Sequence, residues 1–144
     1  MMTDDELRDL RDIAGTMIPA NAGRNLPGAD DPAIQADIVK TVGRDLPRVK
    51  EAIAAIAAKS DGTFASLDVD RREALINEYF AGKSAPAATL GRVILGAYYR
   101  DDRVLTALGW EPRAPFPKGF TVEQGDWSLL DAVRNRPQLW RDDR

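Results

Sequence analysis

The sequence contains neither cysteine nor histidine. Without cysteine there is no disulfide framework, no thiolate nucleophile and no reading of redox compartment from cysteine usage. Zinc sites built from Cys or His are excluded as well. The side chain whose ordinary pKa lies nearest neutrality is missing. Acid–base chemistry would therefore fall to carboxylates, lysine or tyrosine with shifted pKa values, and no motif points to such chemistry. A basic excess is also lacking. Twenty Lys and Arg stand against 23 Asp and Glu, for a formal charge of −3, so nucleic acid is not an expected partner. Long apolar runs are missing too. Stretches such as Ala52 to Ala58 are far too short to span a bilayer, and direct membrane insertion is not expected. The start, Met1-Met2-Thr3-Asp4-Asp5-Glu6, is acidic where a secretory signal is basic. The cytoplasm is the expected compartment. The periplasm is the alternative if the chain is exported with a partner or has lost a leader.

What is present suits one globular domain. The chain has 144 residues, 44% of them apolar and 30% charged, enough for a sizeable core. It reads as helices joined by Pro/Gly loops, without period-2 strands or internal repeats. Thr3 and Glu6 have the form of a capping box, with Asp4 and Asp5 at the positive end of the helix dipole. Leu7, Leu10, Ile13, Ala14 and Met17 then fall on one face, and Pro19 marks the stop. Asn21 to Asp30 is a loop. Asp31-Pro32 is a cap followed by proline at the first helical position. Ala33, Ile34, Ile38 and Val42 form the buried stripe, and Gly43 closes the helix.

Pro47 opens the next helix, through Val49, Ile53 and Ile56 to Ala58, and Ser60-Asp61-Gly62 signals a turn. Phe64 and Leu67 precede a cap at Asp68, as in a hydrophobic staple. Leu75, Ile76, Tyr79 and Phe80 give the apolar face, and Gly82 ends the run. Pro86 opens the most apolar helix, with Leu90, Val93, Ile94, Leu95, Ala97 and Tyr98. Gly91 and Gly96 inside it each cost ~1 kcal/mol relative to alanine, which points to close packing of a neighbouring helix. Asp101 caps a short helix that Gly109 ends. Glu111 to Phe120, with prolines at 112, 115 and 117, is expected to be extended and partly polyproline-like. A last helix runs from Trp127 to Asn135, capped by Asp126 and stopped by Pro137. The expected fold is all-α, a single compact domain of six or seven helices. Residues 1–110 form its helical core. Residues 111–144 form a Pro/Trp-rich C-terminal arm with a short helix, packed on the same domain, on a partner, or on both.

Features that hint at chemistry have plainer readings. The acid pairs Asp4/Asp5, Asp30/Asp31, Asp101/Asp102 and Asp142/Asp143 lack calcium-loop spacing, and three of them sit at helix starts, where capping accounts for them. Gly23 and Gly28 have neither the spacing nor the preceding strand of a dinucleotide site. In Tyr98-Tyr99-Arg100-Asp101 a tyrosine beside an arginine suggests proton transfer. The plainer reading is a helix end, with Tyr98 toward the core and Tyr99 toward solvent or a partner. No residue of this chain is assigned to catalysis, cofactor binding or metal ligation.

The aromatic residues point elsewhere. From Trp110 onward the chain holds all three tryptophans, at 110, 127 and 140, with Phe116, Phe120, several prolines and interleaved arginines. Trp, Tyr and Arg dominate interface hot spots, and an extended Pro-rich segment loses little entropy on docking. The candidate partner surface is Tyr98, Tyr99, Trp110, Phe116, Phe120, Trp127 and Trp140 as anchors. Arg100, Arg103 and Arg113 would pair with acids at its rim.

One pattern is more particular. Gly96-Ala97-Tyr98-Tyr99-Arg100-Asp101-Asp102-Arg103-Val104-Leu105-Thr106-Ala107-Leu108-Gly109-Trp110, followed by Pro115-Phe116-Pro117-Lys118-Gly119-Phe120, resembles the gluconate 2-dehydrogenase subunit 3 family. Leu10 to Pro19, Gly28 to Ile38, and Phe64-Ala65-Ser66-Leu67 with Arg71 are similar to that family's earlier segments, so the likeness runs from Leu10 to Phe120. It implies the small, non-catalytic subunit of an FAD-dependent sugar or alcohol dehydrogenase. That subunit would support the folding, stability or export of a large flavoprotein. FAD would reside in the large subunit, and electrons would pass to an acceptor such as a cytochrome subunit. The resemblance transfers no catalytic residue, and the family's frequent twin-arginine export signal has no counterpart here. The competing readings are a stand-alone helical adaptor for another protein and an independent enzyme that works through carboxylates.

Overall fold

The structure is a computed structural model that describes residues 1–60, 64–114, 116 and 118–137. Among them it is all-α, with seven α-helices, four short 3-10 segments and no strand. The helices are α1 (Asp4–Met17), α2 (Pro32–Thr41), α3 (Leu46–Lys59), α4 (Val69–Ala81), α5 (Ala85–Tyr98), α6 (Asp102–Ala107) and α7 (Asp131–Arg134). The chain divides into two compact units, Met1–Pro112 and Arg113–Arg144. No helix among the described residues is long and apolar enough to cross a membrane.

Local chemistry sets the helix starts. The Thr3 hydroxyl accepts the Glu6 N–H, and the Glu6 carboxylate accepts the Thr3 N–H at 2.8 Å, which closes the capping box. That backbone bond holds the Glu6 carboxyl below its ordinary range, and Lys50 adds to the effect with its Nζ 3.0 Å from Glu6 Oε1. Asp31, Asp68, Ser84 and Asp101 cap α2, α4, α5 and α6 through their side chains. Pro32, Pro47 and Pro86 occupy first-turn positions, where a missing N–H costs nothing.

In the first unit α5 is the central element. It packs most extensively on α3, then on α2 and α4, while α1 lies against α4 and α3. Leu10, Ile13, Ile34, Ile38, Val49, Ile56, Phe64, Leu90, Ile94 and Val104 are fully buried, each worth ~1.5–3 kcal/mol of apolar burial. Phe64 belongs to this core and is held from its other side by Arg72. That guanidinium lies 5.7 Å from the ring centroid and donates to the Leu67 and Ala65 carbonyls.

Two expectations need correction. Ala33 is exposed, because the buried stripe of α2 follows Ile34 and Ile38 and leaves the first turn in solvent. Gly91 does serve close packing, since a Cβ there would sit 3.1 Å from Cε1 of Phe80, but a Cβ at Gly96 would meet nothing within 4 Å. Gly96 and its neighbour Leu95 are exposed. Gly82 ends α4 as its C-cap, as expected, with φ −67°, and the left-handed conformation falls on the next residue, Lys83 (φ 49°). Asp61 and Gly62 of the expected turn lie outside the described residues.

In the second unit Asp126 caps a 3-10 segment, Trp127–Leu130, that leads directly into α7. The reading of a last helix from Trp127 to Asn135 is thus met by a 3-10 start and a single α-helical turn. Pro115 and Pro117 lie outside the described residues.

Candidate partner-binding surface

Helix α5 separates its two consecutive tyrosines. Leu90, Ile94, Ala97 and Tyr98 line the buried stripe. Tyr98 is 4% exposed, and its hydroxyl donates to the Pro27 carbonyl at 3.1 Å. Burial pushes its phenol above the ordinary range. Tyr98 is therefore a core residue and leaves the candidate surface. Tyr99, next on the helix, is 54% exposed. Its ring meets that of Tyr98 edge-on, with centroids 5.2 Å apart, a favourable arrangement for two quadrupoles.

The two rim arginines of this unit are engaged within the chain. Arg100 donates from Nη2 and Nε to Asp37 Oδ2, at 2.5 and 3.1 Å, and from Nη2 to Thr41 Oγ1 at 3.2 Å. Arg103 forks onto Asp31 from Nη1 and Nη2, at 3.0 and 2.8 Å. It also donates to Asp101 from Nε and Nη2, at 3.0 and 2.9 Å. These bonds hold both carboxyls below the ordinary carboxylate range and raise the guanidinium further. Together the two arginines grip α2, Arg103 at its N-cap and Arg100 toward its other end. The expectation that they wait for a partner's acids gives way to this intrachain use. Sequence reading misses it because the bonded residues lie 63 and 72 positions apart.

Trp110 follows the turn that ends α6 and is 64% exposed. Leu108 beside it is also exposed. Leu95 and Leu108 are surface residues that sequence reading does not single out. Leu95 had a signal, because it sits one step around the helix from Ile94 and shares its side with Tyr99.

In the second unit Arg113 closes a short loop on itself. Its guanidinium donates to the Ala114 and Gly119 carbonyls, at 3.2 and 2.6 Å, and lies 4.2 Å from the centroid of the Phe120 ring, within cation–π range. Gly119 takes φ +64°, a backbone that suits glycine. Phe116 is 85% exposed, Phe120 49% and Trp127 57%. Val122, Leu129 and Val133 are exposed too. Trp140 lies outside the described residues.

The grooves of the first unit have a different character. The one between α3 and α4, about 470 Å³, is lined by Lys59, Ser60, Leu67, Arg71, Leu75 and Glu78. The Lys59 ammonium spans it to Glu78, at 2.5 Å. Burial pushes the Asp9 carboxyl up, but Asp9 does not line that groove. No three of Asp, Glu, Cys or His among the described residues are grouped so as to hold a metal ion.

No family model, curated protein or solved structure matches the chain.

Proposed function

We propose that this chain is a non-catalytic, partner-binding subunit. The observation that carries the reading is the exposure of Tyr99, Trp110, Phe116, Phe120 and Trp127, each 49% exposed or more. These are residue types that anchor protein interfaces when a partner desolvates them. The resemblance of Gly96 to Trp110 and of Pro115 to Phe120 to the gluconate 2-dehydrogenase subunit 3 family supplies the partner. In this reading it is the large FAD-binding subunit of a dehydrogenase acting on a sugar or alcohol CH–OH group. This chain would stabilise that subunit or help it fold.

Capture of the tagged chain from its native host, with mass spectrometry and an absorbance spectrum of the eluate, tests both levels. A large companion with flavin absorbance supports the dehydrogenase reading. A colourless companion keeps the partner-binding role and favours the second reading, a helical adaptor for another protein. A monodisperse, partner-free monomer overturns both. In a captured complex, Trp110→Ala or Trp127→Ala is expected to weaken association by ~2 kcal/mol or more.

A further inference from the structure

Arg103 lies in the first turn of α6, and its guanidinium spans two helix starts. Both carboxylates that it holds are N-caps. Asp31 accepts the Ala33 N–H of α2 at 2.9 Å, and Asp101 accepts the N–H of Arg103 itself at 2.9 Å. One side chain thus links the caps of two helices by charge-assisted, forked hydrogen bonds.

Helix α6 needs such support. It has six residues and buries one side chain, Val104, whereas isolated helices below ~12–15 residues are marginal in water. Its far end is closed tightly. The Gly109 N–H returns to the Thr106 carbonyl at 3.0 Å, and the Trp110 N–H returns to Leu105 at 2.9 Å. Gly109 is left-handed at φ 84°, which completes a Schellman closure. The backbone of Trp110 is therefore fixed to α6, and α6 is fixed to α2 through Arg103.

We propose that Arg103 is a positioning residue, a clamp between the N-cap carboxylates of α2 and α6 that orders α6 and so presents Trp110 to a protein partner. The presentation of Trp110 rests on the partner-binding reading above. The clamp does not. Arg103 in this view touches no partner, and its effect on binding passes through Trp110.

The test combines backbone hydrogen exchange over residues 102–110 with partner capture, for the wild type, Arg103→Ala, Arg103→Lys and Asp31→Asn. Asparagine at 31 keeps the cap, because its side-chain oxygen still accepts the Ala33 N–H, and it removes the ion pair. Arg103→Ala and Asp31→Asn are expected to speed exchange at Leu105, Leu108, Gly109 and Trp110 by about tenfold, while the core amides of α1, α3 and α5 stay protected. Arg103→Lys is expected to fall between, since an ammonium has no planar fork to span two carboxylates. In capture, Arg103→Ala should weaken retention about as much as Trp110→Ala, and the double variant no further. Unchanged exchange over 102–110 in both Arg103→Ala and Asp31→Asn overturns the clamp. Losses that add between Arg103→Ala and Trp110→Ala overturn the positioning role and make Arg103 a direct contact. If Arg103→Ala fails to fold, Asp31→Asn and Arg103→Lys carry the same comparison. If the wild type captures no partner, the presentation of Trp110 is overturned, and the exchange result still decides the clamp.

Discussion

Arg103 and Asp31, 72 residues apart, share two hydrogen bonds, at 2.8 and 3.0 Å, and the guanidinium divides itself between Asp31 and Asp101. The arrangement has a pH signature. The Arg103 bonds are the largest cause holding both carboxyls below their ordinary range, and partial burial works against them. A carboxyl depressed in the folded state stabilises the fold when charged. That stabilisation is fully present above the ordinary carboxylate pKa, about 4, and is lost as pH falls through the depressed values. Denaturant midpoints of the wild type should therefore fall more steeply below about pH 4 than those of Arg103→Ala. Parallel curves would show that the clamp adds no acid-sensitive stability.

The two glycines of α5 should answer alanine in opposite ways. At Gly96 the new methyl enters open space, so removing a helix-interior glycine should stabilise by ~0.5–1 kcal/mol. At Gly91 the methyl meets the Phe80 ring at 3.1 Å, and the ring must shift within a packed contact. Thermal unfolding should place Gly91→Ala below Gly96→Ala by about 1 kcal/mol or more. Equal midpoints would mean that Phe80 yields freely.

Lys83 carries the left-handed turn after α4. A side chain there costs roughly 1–2 kcal/mol that glycine avoids. Lys83→Gly is thus expected to stabilise the chain, offset in part by the greater freedom of the unfolded state. A lower denaturant midpoint for Lys83→Gly would be the contrary result.

Core and surface should separate cleanly in the isolated chain. Ile94 is fully buried, and Ile94→Ala should cost ~2–5 kcal/mol. Trp127 is exposed, and Trp127→Ala should stay within ~0.5 kcal/mol of the wild type. A large loss for Trp127→Ala would show that its indole packs within the chain and would remove it from the partner surface.

The helix starts are legible in the sequence because capping is local. Thr3, Asp31, Asp68, Asp101 and Asp126 each accept a backbone N–H two or three residues ahead. Periodicity likewise gives Leu10, Ile13 and Ala14 on α1, and Val49, Ile53 and Ile56 on α3. The burial of Tyr98 is also written there, since it follows Leu90 and Ile94 at successive steps of four. What escapes a linear reading depends on residues far along the chain. Gly91 and Gly96 look alike in sequence, and only the ring from α4 tells them apart. Arg100 and Arg103 look like free cations until α2 brings Asp37 and Asp31 to them. In the arm, the curl of Arg113 onto Phe120 follows no periodic rule.

The Tyr98 hydroxyl reaches the Pro27 carbonyl across 71 residues of chain. The segment between α1 and α2 thus takes one of its fixings from the last residue of α5. Such a contact closes a long loop, and its entropic cost is met more easily once the intervening helices have collapsed. The loop around Pro27 is therefore expected to be among the last segments to acquire its native shape. A chain cut before α5 would leave it open to proteases, even where α1 and α3 had already found each other.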